Sequence, residues 1–304
     1  MIKSLVTGAA GFIGSNLCEY LVEQGHQVIG VDNMTANNES FYWMDGVDPY
    51  VVDITDYEAM RPLFDGVDFV FHLAAESRLQ PAIENPINAV TKNCVGTTVV
   101  LQCAREAEVG RVVYSSTSSG YGGNPYPNVE TQPDDCLNPY SVSKVAGEKL
   151  CKMYYDLYGL PTVSLRYFNV FGERSPTKGQ YAPVIGIFQR QKIAGESLTI
   201  IGDGTQRRDF IHVKDVANAN YLAAIMPLDK VRDGDRHGQV FNVGSGHNYS
   251  INEIARAISD DVTHLPARQG EASTTLADIS KIERVIGWQP HIDVMDWIHG
   301  QGQE

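Results

Sequence analysis

Long apolar runs are missing from this chain of 304 residues. None approaches the roughly 20 residues that a membrane span needs. Cysteine is sparse. Cys18, Cys94, Cys103, Cys136 and Cys151 are scattered, with no Cys-x-x-Cys pair and no Cys/His spacing suited to a metal. An odd, unpatterned set of thiols fits a reducing cytoplasm, with most of them packed in a core. Positive charge is also short: 24 Lys and Arg stand against 37 Asp and Glu, a net charge of −13. That argues against nucleic acid as a partner. It does not argue against a phosphorylated small molecule, because a few buried arginines can hold a diphosphate inside an acidic protein. There are no internal repeats and no low-complexity tracts. The opening, Met1 to Gly8, runs straight into a strand-like segment and does not read as a signal peptide.

What is present is an alternation. Short apolar, β-branched or aromatic segments occur at 2–7, 27–32, 50–53, 68–73, 111–116 and 162–166. That is how strands covered on both faces read. Helical stretches at 12–24, 56–64, 88–106 and 139–158 separate them. Strand-helix alternation implies right-handed crossovers and a parallel α/β sheet, doubly wound, with its ligand at the carboxyl ends of the strands. After Arg166 the rhythm breaks. A polar loop (172–181), a strand (198–201), a helix (213–226), a strand that could return to the sheet (239–243) and short helices (251–259, 279–286) suggest a smaller lobe. Residues 229–238 read as a charged surface loop.

Gly8, Gly11 and Gly14 follow the first strand and open the first helix. Glycine removes the Cβ where backbone must turn tightly beside a pyrophosphate, and the helix N-terminus adds partial positive charge. Phe12 and Ile13 carry the first amides of that helix. Asp32 ends the second strand about 20 residues on, where a carboxylate accepts from ribose hydroxyls. A carboxylate there repels a 2′-phosphate, so NAD is favoured over NADP. Asp53 and Ile54 are placed to meet the adenine. Leu73, Ala74 and Ala75 are small enough at the end of the fourth strand for backbone to close on the cofactor. His72 beside them reads as a core histidine and receives no role.

Tyr140 and Lys144 stand one helical turn apart, behind Asn138 as N-cap and Pro139 in the first turn. A phenol titrates near pH 10 and is a poor base at neutral pH. The lysine charge and an oxidised nicotinamide ring beside it would favour the phenolate. The hydroxyl run Ser115-Ser116-Thr117-Ser118-Ser119 ends the fifth strand, where one hydroxyl can bond the reacting oxygen and share its proton with Tyr140.

These motifs, with Leu165-Arg-Tyr-Phe-Asn-Val-Phe-Gly172 and Gly202-Asp-Gly-Thr-Gln-Arg-Arg-Asp-Phe-Ile-His-Val213, resemble those of the extended short-chain dehydrogenase/reductase family, and within it the nucleotide-sugar 4-epimerases. The resemblance covers nearly the whole chain. It implies a Rossmann-type domain over 1–168, partly rejoined by 206–245, and a nucleotide-sugar-binding lobe from 169–205 and 246–304. It implies catalytic roles for Thr117, Tyr140 and Lys144, with Lys144 also holding the nicotinamide ribose. Asn93 and Ser115 match cofactor-domain positions. Asn169, Arg208 and Arg268 match residues around the diphosphate, and Ser77 and Arg78 match substrate contacts. No metal is implied.

Two features discriminate within the family. The 4,6-dehydratases carry carboxylates directly after the catalytic threonine, where this chain has Ser118 and Ser119, so elimination lacks its acid and base. At the position of Thr275, family members restricted to plain hexoses resemble one another in a bulky aromatic, and those accepting N-acetylated sugars have a small residue. The resemblance thus points to UDP-N-acetylglucosamine and UDP-N-acetylgalactosamine, with UDP-glucose and UDP-galactose also turned over. Uronic acid epimerases resemble this chain too, but tend to carry threonine in place of Asn169. Decarboxylation, 4-reduction and a non-catalytic NAD sensor are the alternatives. Helices 88–106 and 139–158 carry Val99, Leu150, Tyr154 and Leu157, which could face a second copy in a homodimer.

Overall fold

The computed structural model describes residues 1–35, 41–177, 182–227, 239–267 and 272–301. Its first unit follows the alternation closely. β1 (Lys3–Thr7), α1 (Phe12–Glu23), β2 (Gln27–Asp32) and β3 (Val47–Val51) come first. They are followed by α2 (Tyr57–Met60), β4 (Phe69–His72), α3 (Leu79–Glu84), α4 (Pro86–Val90) and α5 (Thr97–Glu106). β5 (Arg111–Thr117), α6 (Pro139–Tyr158) and β6 (Thr162–Tyr167) complete the run.

Beyond it lie β7 (Asn169–Phe171), α7 (Val184–Ala194), β8 (Leu198–Ile201), β9 (Arg207–His212), α8 (Val213–Ile225) and β10 (Gln239–Val243). β11 (Asn248–Ser250), α9 (Ile251–Ile258), β12 (Val262–Leu265), α10 (Ser280–Ile286) and α11 (Val294–Gly300) follow. The loop read at 229–238 lies outside the described residues, as does part of that at 172–181.

Seven strands form one parallel sheet in the order β10-β6-β5-β4-β1-β2-β3. The order reverses between β1 and β4, so a crevice opens above their carboxyl ends. One face is packed by α1 and α8 through Leu17, Leu21, Val216 and Ala223. The other is packed by α5 and α6 through Leu101, Ala104, Cys151 and Tyr154. The sheet is therefore doubly wound. A separate core around Phe188, Ile200, Ile254 and Ile298 supports the outer lobe. β9 joins β7 and β11 in a small sheet there, whereas α8 and β10 return to the large one.

Among the segments that differ from the periodicity, three stand out. The third strand is Val47–Val51, not 50–53, and it is mostly exposed. It is the edge strand, so burial does not write an apolar run, and Pro49 is tolerated. Residues 88–106 are not one helix: a turn of π-helix, Thr91–Gly96, joins α4 to α5. Such bulges re-aim side chains and occur often at functional sites. Residues 184–194 form a helix that the loop-like flanks concealed.

α6 is started by Asn138, whose side chain accepts from the Ser141 N–H at 2.9 Å, with Pro139 in the first turn. It is pinned to the sheet by Arg166, which donates to both Glu148 oxygens at 2.8 and 2.7 Å. A buried pair of this geometry orients more than it stabilises. Its consequence is a fixed azimuth for the helix that carries Tyr140 and Lys144.

Candidate active site

Gly8 sits at φ +73°, and a Cβ there would lie 2.9 Å from the Ala74 nitrogen. A Cβ on Gly14 would lie 1.9 Å from the Gly8 carbonyl oxygen, and one on Gly11 3.3 Å from the same atom. β1, the glycine turn and the segment after β4 thus meet backbone to backbone at the topological switch point. The Thr7 hydroxyl accepts from the N–H groups of Leu73 and Ala74, both at 3.2 Å, and this closes the seam. Ala75 follows directly. Gly11 gives α1 no side-chain cap. The first amides of that helix, including Phe12 and Ile13, therefore face the crevice as anion-binding donors.

His72 bridges Thr7, at 2.7 Å, and Thr97, at 2.9 Å. Burial pushes its pKa down to about 3. It is a neutral core group bracing the seam.

Asp32 ends β2. Its oxygens accept from Ala10 N–H at 3.2 Å and Met34 N–H at 2.9 Å. Burial raises its pKa and these bonds oppose the rise. Asn33 donates to Asp53 at 3.0 Å. Asp53 lies in the turn after β3 and pairs with Lys92. Burial would raise its pKa, but Lys92, Thr55 and Asn33 outweigh it and hold the carboxyl below its ordinary range. Ile54 is buried against Gly96, whose Cβ would strike it at 2.5 Å. Asp53 and Ile54 are therefore engaged within the protein, through Asn33, Lys92 and the π-turn.

Asn93, in that π-turn, is buried. Its oxygen accepts from Glu76 N–H at 2.8 Å, and its amide donates to Glu76 O at 3.0 Å and to Ser143 Oγ at 2.8 Å. Both of its donors are thus engaged within the protein. Asn93 clamps the segment after β4 to α6, and its place in the crevice wall is that of a brace.

The hydroxyl run divides its work. Ser115 faces Tyr167. Ser116 donates to Glu148. Thr117 caps the turn that follows, accepting from Ser119 N–H at 3.1 Å, and its hydroxyl faces the Tyr140 phenol as a hydrogen-bond partner. Of the run, Thr117 is the residue brought to Tyr140.

The electrostatics differ from what the motif suggests. Burial raises the Tyr140 pKa; Thr117 lowers it, and the charge of Glu76 raises it further. Lys144 is only 2% exposed, with its ammonium 4.4 Å from the Tyr114 ring centroid. Burial brings its pKa down to about 7, against the pull of Glu148. Burial thus works against the charged form of both groups. The reason is desolvation, which a residue pattern cannot register.

On the outer side, Asn169 donates to Asp209 O at 2.9 Å and to Thr275 Oγ1 at 3.3 Å, and Thr275 Oγ1 also accepts from Asp209 N–H at 3.2 Å. Asp209 itself is fully buried and accepts from Ala277, Ser245 and Gly246, so it ties three lobe segments together. Burial pushes its pKa up to about 6 despite those bonds. Arg208 donates to the carbonyls of Arg207 and Ser273, both at 3.1 Å. Ser77 is exposed, and Arg78 is the N-cap residue of α3. Arg268 lies outside the described residues. Sequence reasoning assigned nothing to Glu76, Glu148 or Asp209. Each acts through burial and long-range contact, for which there is no local signal. Among the described residues no group of His, Cys, Asp and Glu could hold a metal ion, and no helix is long and apolar enough to cross a membrane.

The crevice has the parts that a dinucleotide requires: a Cβ-free turn, an uncapped helix start and a carboxylate at the end of β2. Residues 4–244 match the model of the NAD dependent epimerase/dehydratase family. The chain is 34% identical over 310 residues to the UDP-glucose 4-epimerase of Mycolicibacterium smegmatis, covering 98% of this chain and 96% of that one. It is 32% identical to the UDP-glucuronate 4-epimerase of Thermodesulfobacterium geofontis, covering 95% and 92%.

Among solved structures, the UDP-glucose 4-epimerase of Thermotoga maritima with UDP-glucose superposes with a TM-score of 0.91 at 29% identity, covering 100% of both chains. The UDP-N-acetylglucosamine 4-epimerase of Methanobrevibacter ruminantium, in complex with UDP-N-acetylmuramic acid, does so at 0.88 and 31%, covering 100% and 99%. The doubly wound sheet is thus a shared fold, and this chain belongs to the NAD-dependent epimerase/dehydratase family, among its UDP-sugar epimerases.

Proposed function

We propose that the chain is a 4-epimerase that interconverts UDP-N-acetylglucosamine and UDP-N-acetylgalactosamine and also turns over UDP-glucose and UDP-galactose. The observation that carries this reading is the Tyr140 phenol facing the Thr117 hydroxyl at the end of β5. Tyr140 takes the proton of the sugar C4 hydroxyl, and Thr117 bonds the same oxygen and shares that proton. Lys144, one helical turn on from Tyr140, holds the nicotinamide ribose. Gly8, Gly11, Gly14 and the α1 amides hold the pyrophosphate, and Asp32 holds the adenosine ribose. When bound, NAD supplies the acceptor and then the donor of the C4 hydride, and a positive charge beside the phenol. The 4-keto sugar turns about its diphosphate, which Arg208 and Arg268 grip, and the proton returns to the opposite epimer. Ser118 and Ser119 offer no carboxylate for elimination.

The sugar preference rests on Thr275. Its hydroxyl accepts from Asp209 N–H and Asn169 Nδ2, and a side chain as small as threonine leaves room for an acetamido group. Incubation with UDP-N-acetylglucosamine, without added NAD, should yield its C4 epimer; a keto or decarboxylated product, or none, would defeat the reading. Thr275→Tyr should cut kcat/KM for the N-acetylated sugar by about tenfold or more, with a smaller loss for UDP-glucose, because a pocket rejects added bulk at about that level. Equal losses for both sugars would remove Thr275 as the gate.

A homodimer belongs to the same proposal. Tyr154 is buried in the core, and Val99 and Leu150 are partly buried against it. Ile87, Val90, Val95, Val142 and Leu157 are among the exposed apolar residues of these helical segments. Sedimentation should show a dimer that Val95→Glu with Val142→Glu converts to monomer; a wild-type monomer at micromolar concentration would overturn it. The free thiols support a cytoplasmic setting.

A further inference from the structure

Glu148 lies one helical turn beyond Lys144 on α6, and proton transfer at C4 gives it no part. It is buried, and its carboxylate is a three-way joint. Oε1 accepts from Ser116 Oγ and from Arg166 Nε, the latter at 2.8 Å, and Oε2 accepts from Arg166 Nη2 at 2.7 Å. Ser116 and Arg166 stand opposite each other in the β5–β6 ladder. Two strands and the catalytic helix thus close on a single carboxylate.

The joint sits where β5 has least support. β4 pairs with β5 up to Tyr114, and Ser115, Ser116 and Thr117 run on beside β6. Thr117 is the last residue of that projection and the one that meets the Tyr140 phenol. Where β5 is flanked on both edges, it touches α6 directly. Tyr114 Oη donates to Lys144 O at 3.1 Å, and Gly147 admits it, since a Cβ there would lie 2.1 Å from Tyr114 Oη. Along the projection, the Ser116 bond to Glu148 takes over that task. The distance between Thr117 and Tyr140 is the distance between a strand end and a helix, and this joint holds the two together.

We propose that Glu148, linked to β5 through Ser116, is a positioning residue that keeps the Thr117 hydroxyl and the Tyr140 phenol at the spacing needed to share one substrate proton. This rests on the epimerase reading and adds to it a group that acts through the catalytic pair.

The test compares wild type, Ser116→Ala and Glu148→Gln in the NAD-bearing protein, by kcat, KM and NAD content. Ser116→Ala removes one arm of the joint and leaves the Arg166 pair intact. Glu148→Gln sets an amide donor against the guanidinium. A reacting geometry misplaced by about 1 Å can cost about 10²-fold, so Ser116→Ala should lower kcat about tenfold and Glu148→Gln should lower it further. KM for the UDP-sugar and NAD content should stay near wild type. Wild-type kcat in Ser116→Ala overturns the proposal, as does a loss carried by KM or by released NAD. That variant decides the matter whatever Glu148→Gln does to folding. A wild type that epimerises no UDP-sugar would instead sink the epimerase reading. The joint is then tested by the ultraviolet titration of the Tyr140 phenol, taken as the difference from Tyr140→Phe. The Thr117 bond favours the phenolate, so Ser116→Ala should move that titration to higher pH, and an unmoved titration overturns the proposal.

Discussion

Tyr140→Phe is expected to lower kcat by about 10²–10⁴-fold, the usual contribution of a positioned acid or base, and to leave NAD bound. The phenol oxygen is the one atom removed. The ring keeps its packing, and none of the cradle residues is touched. Thr117 alone cannot replace it, because a hydroxyl is a far weaker base than a phenolate held beside positive charge. Desolvation and Glu76 raise the Tyr140 pKa, and the positive charge of an oxidised nicotinamide ring would act in the opposite sense. Steady-state rates and the NAD released on denaturing the purified protein measure the two halves. A variant that keeps full activity would remove the mechanism, and one that loses its NAD would move the role of Tyr140 from chemistry to binding.

Gly14→Ala should be the most damaging change to the cofactor site. The new Cβ would stand 1.9 Å from the Gly8 carbonyl oxygen and 3.0 Å from Ala9 Cα. Gly8 cannot retreat easily, since its N–H is bonded to Val31 O at 2.7 Å. α1 must therefore lift from β1, which takes its N-terminal amides away from the pyrophosphate. Loss of NAD from the purified protein is expected, with a stability cost of about 1–3 kcal/mol or more from overpacking. Gly25→Ala is the control. That residue also has positive φ, +79°, but a Cβ there meets nothing within 4 Å. It should cost about 1 kcal/mol through backbone strain and retain NAD. If Gly14→Ala bound NAD as wild type does, the close approach at this turn would be unimportant.

Much of this was legible in the residues themselves. β1, β2, β5, β6 and α6 fall within a residue of where their apolar runs and caps put them. Such signals are local: a strand covered on both faces must be apolar throughout, and Asn138-Pro139 starts a helix whatever lies around it. The edge strand at 47–51 was displaced in the reading because an exposed strand has no such run. The π-turn was missed because a single inserted residue hardly disturbs helical periodicity. Its consequence is large, since it turns Asn93 inward as a clamp between Glu76 and α6.

Residue types and spacing alone determined the parallel sheet, the place of the coenzyme crevice and the pairing of residue 140 with residue 144 on one helix face, because each follows from bonding geometry within a few residues. Tertiary structure decided which of five neighbouring hydroxyls meets the phenol, how deeply Lys144 is buried, and that Asn93 clamps Glu76 to α6. Those depend on desolvation and on contacts between segments far apart in the chain, and neither quantity exists until the chain has folded.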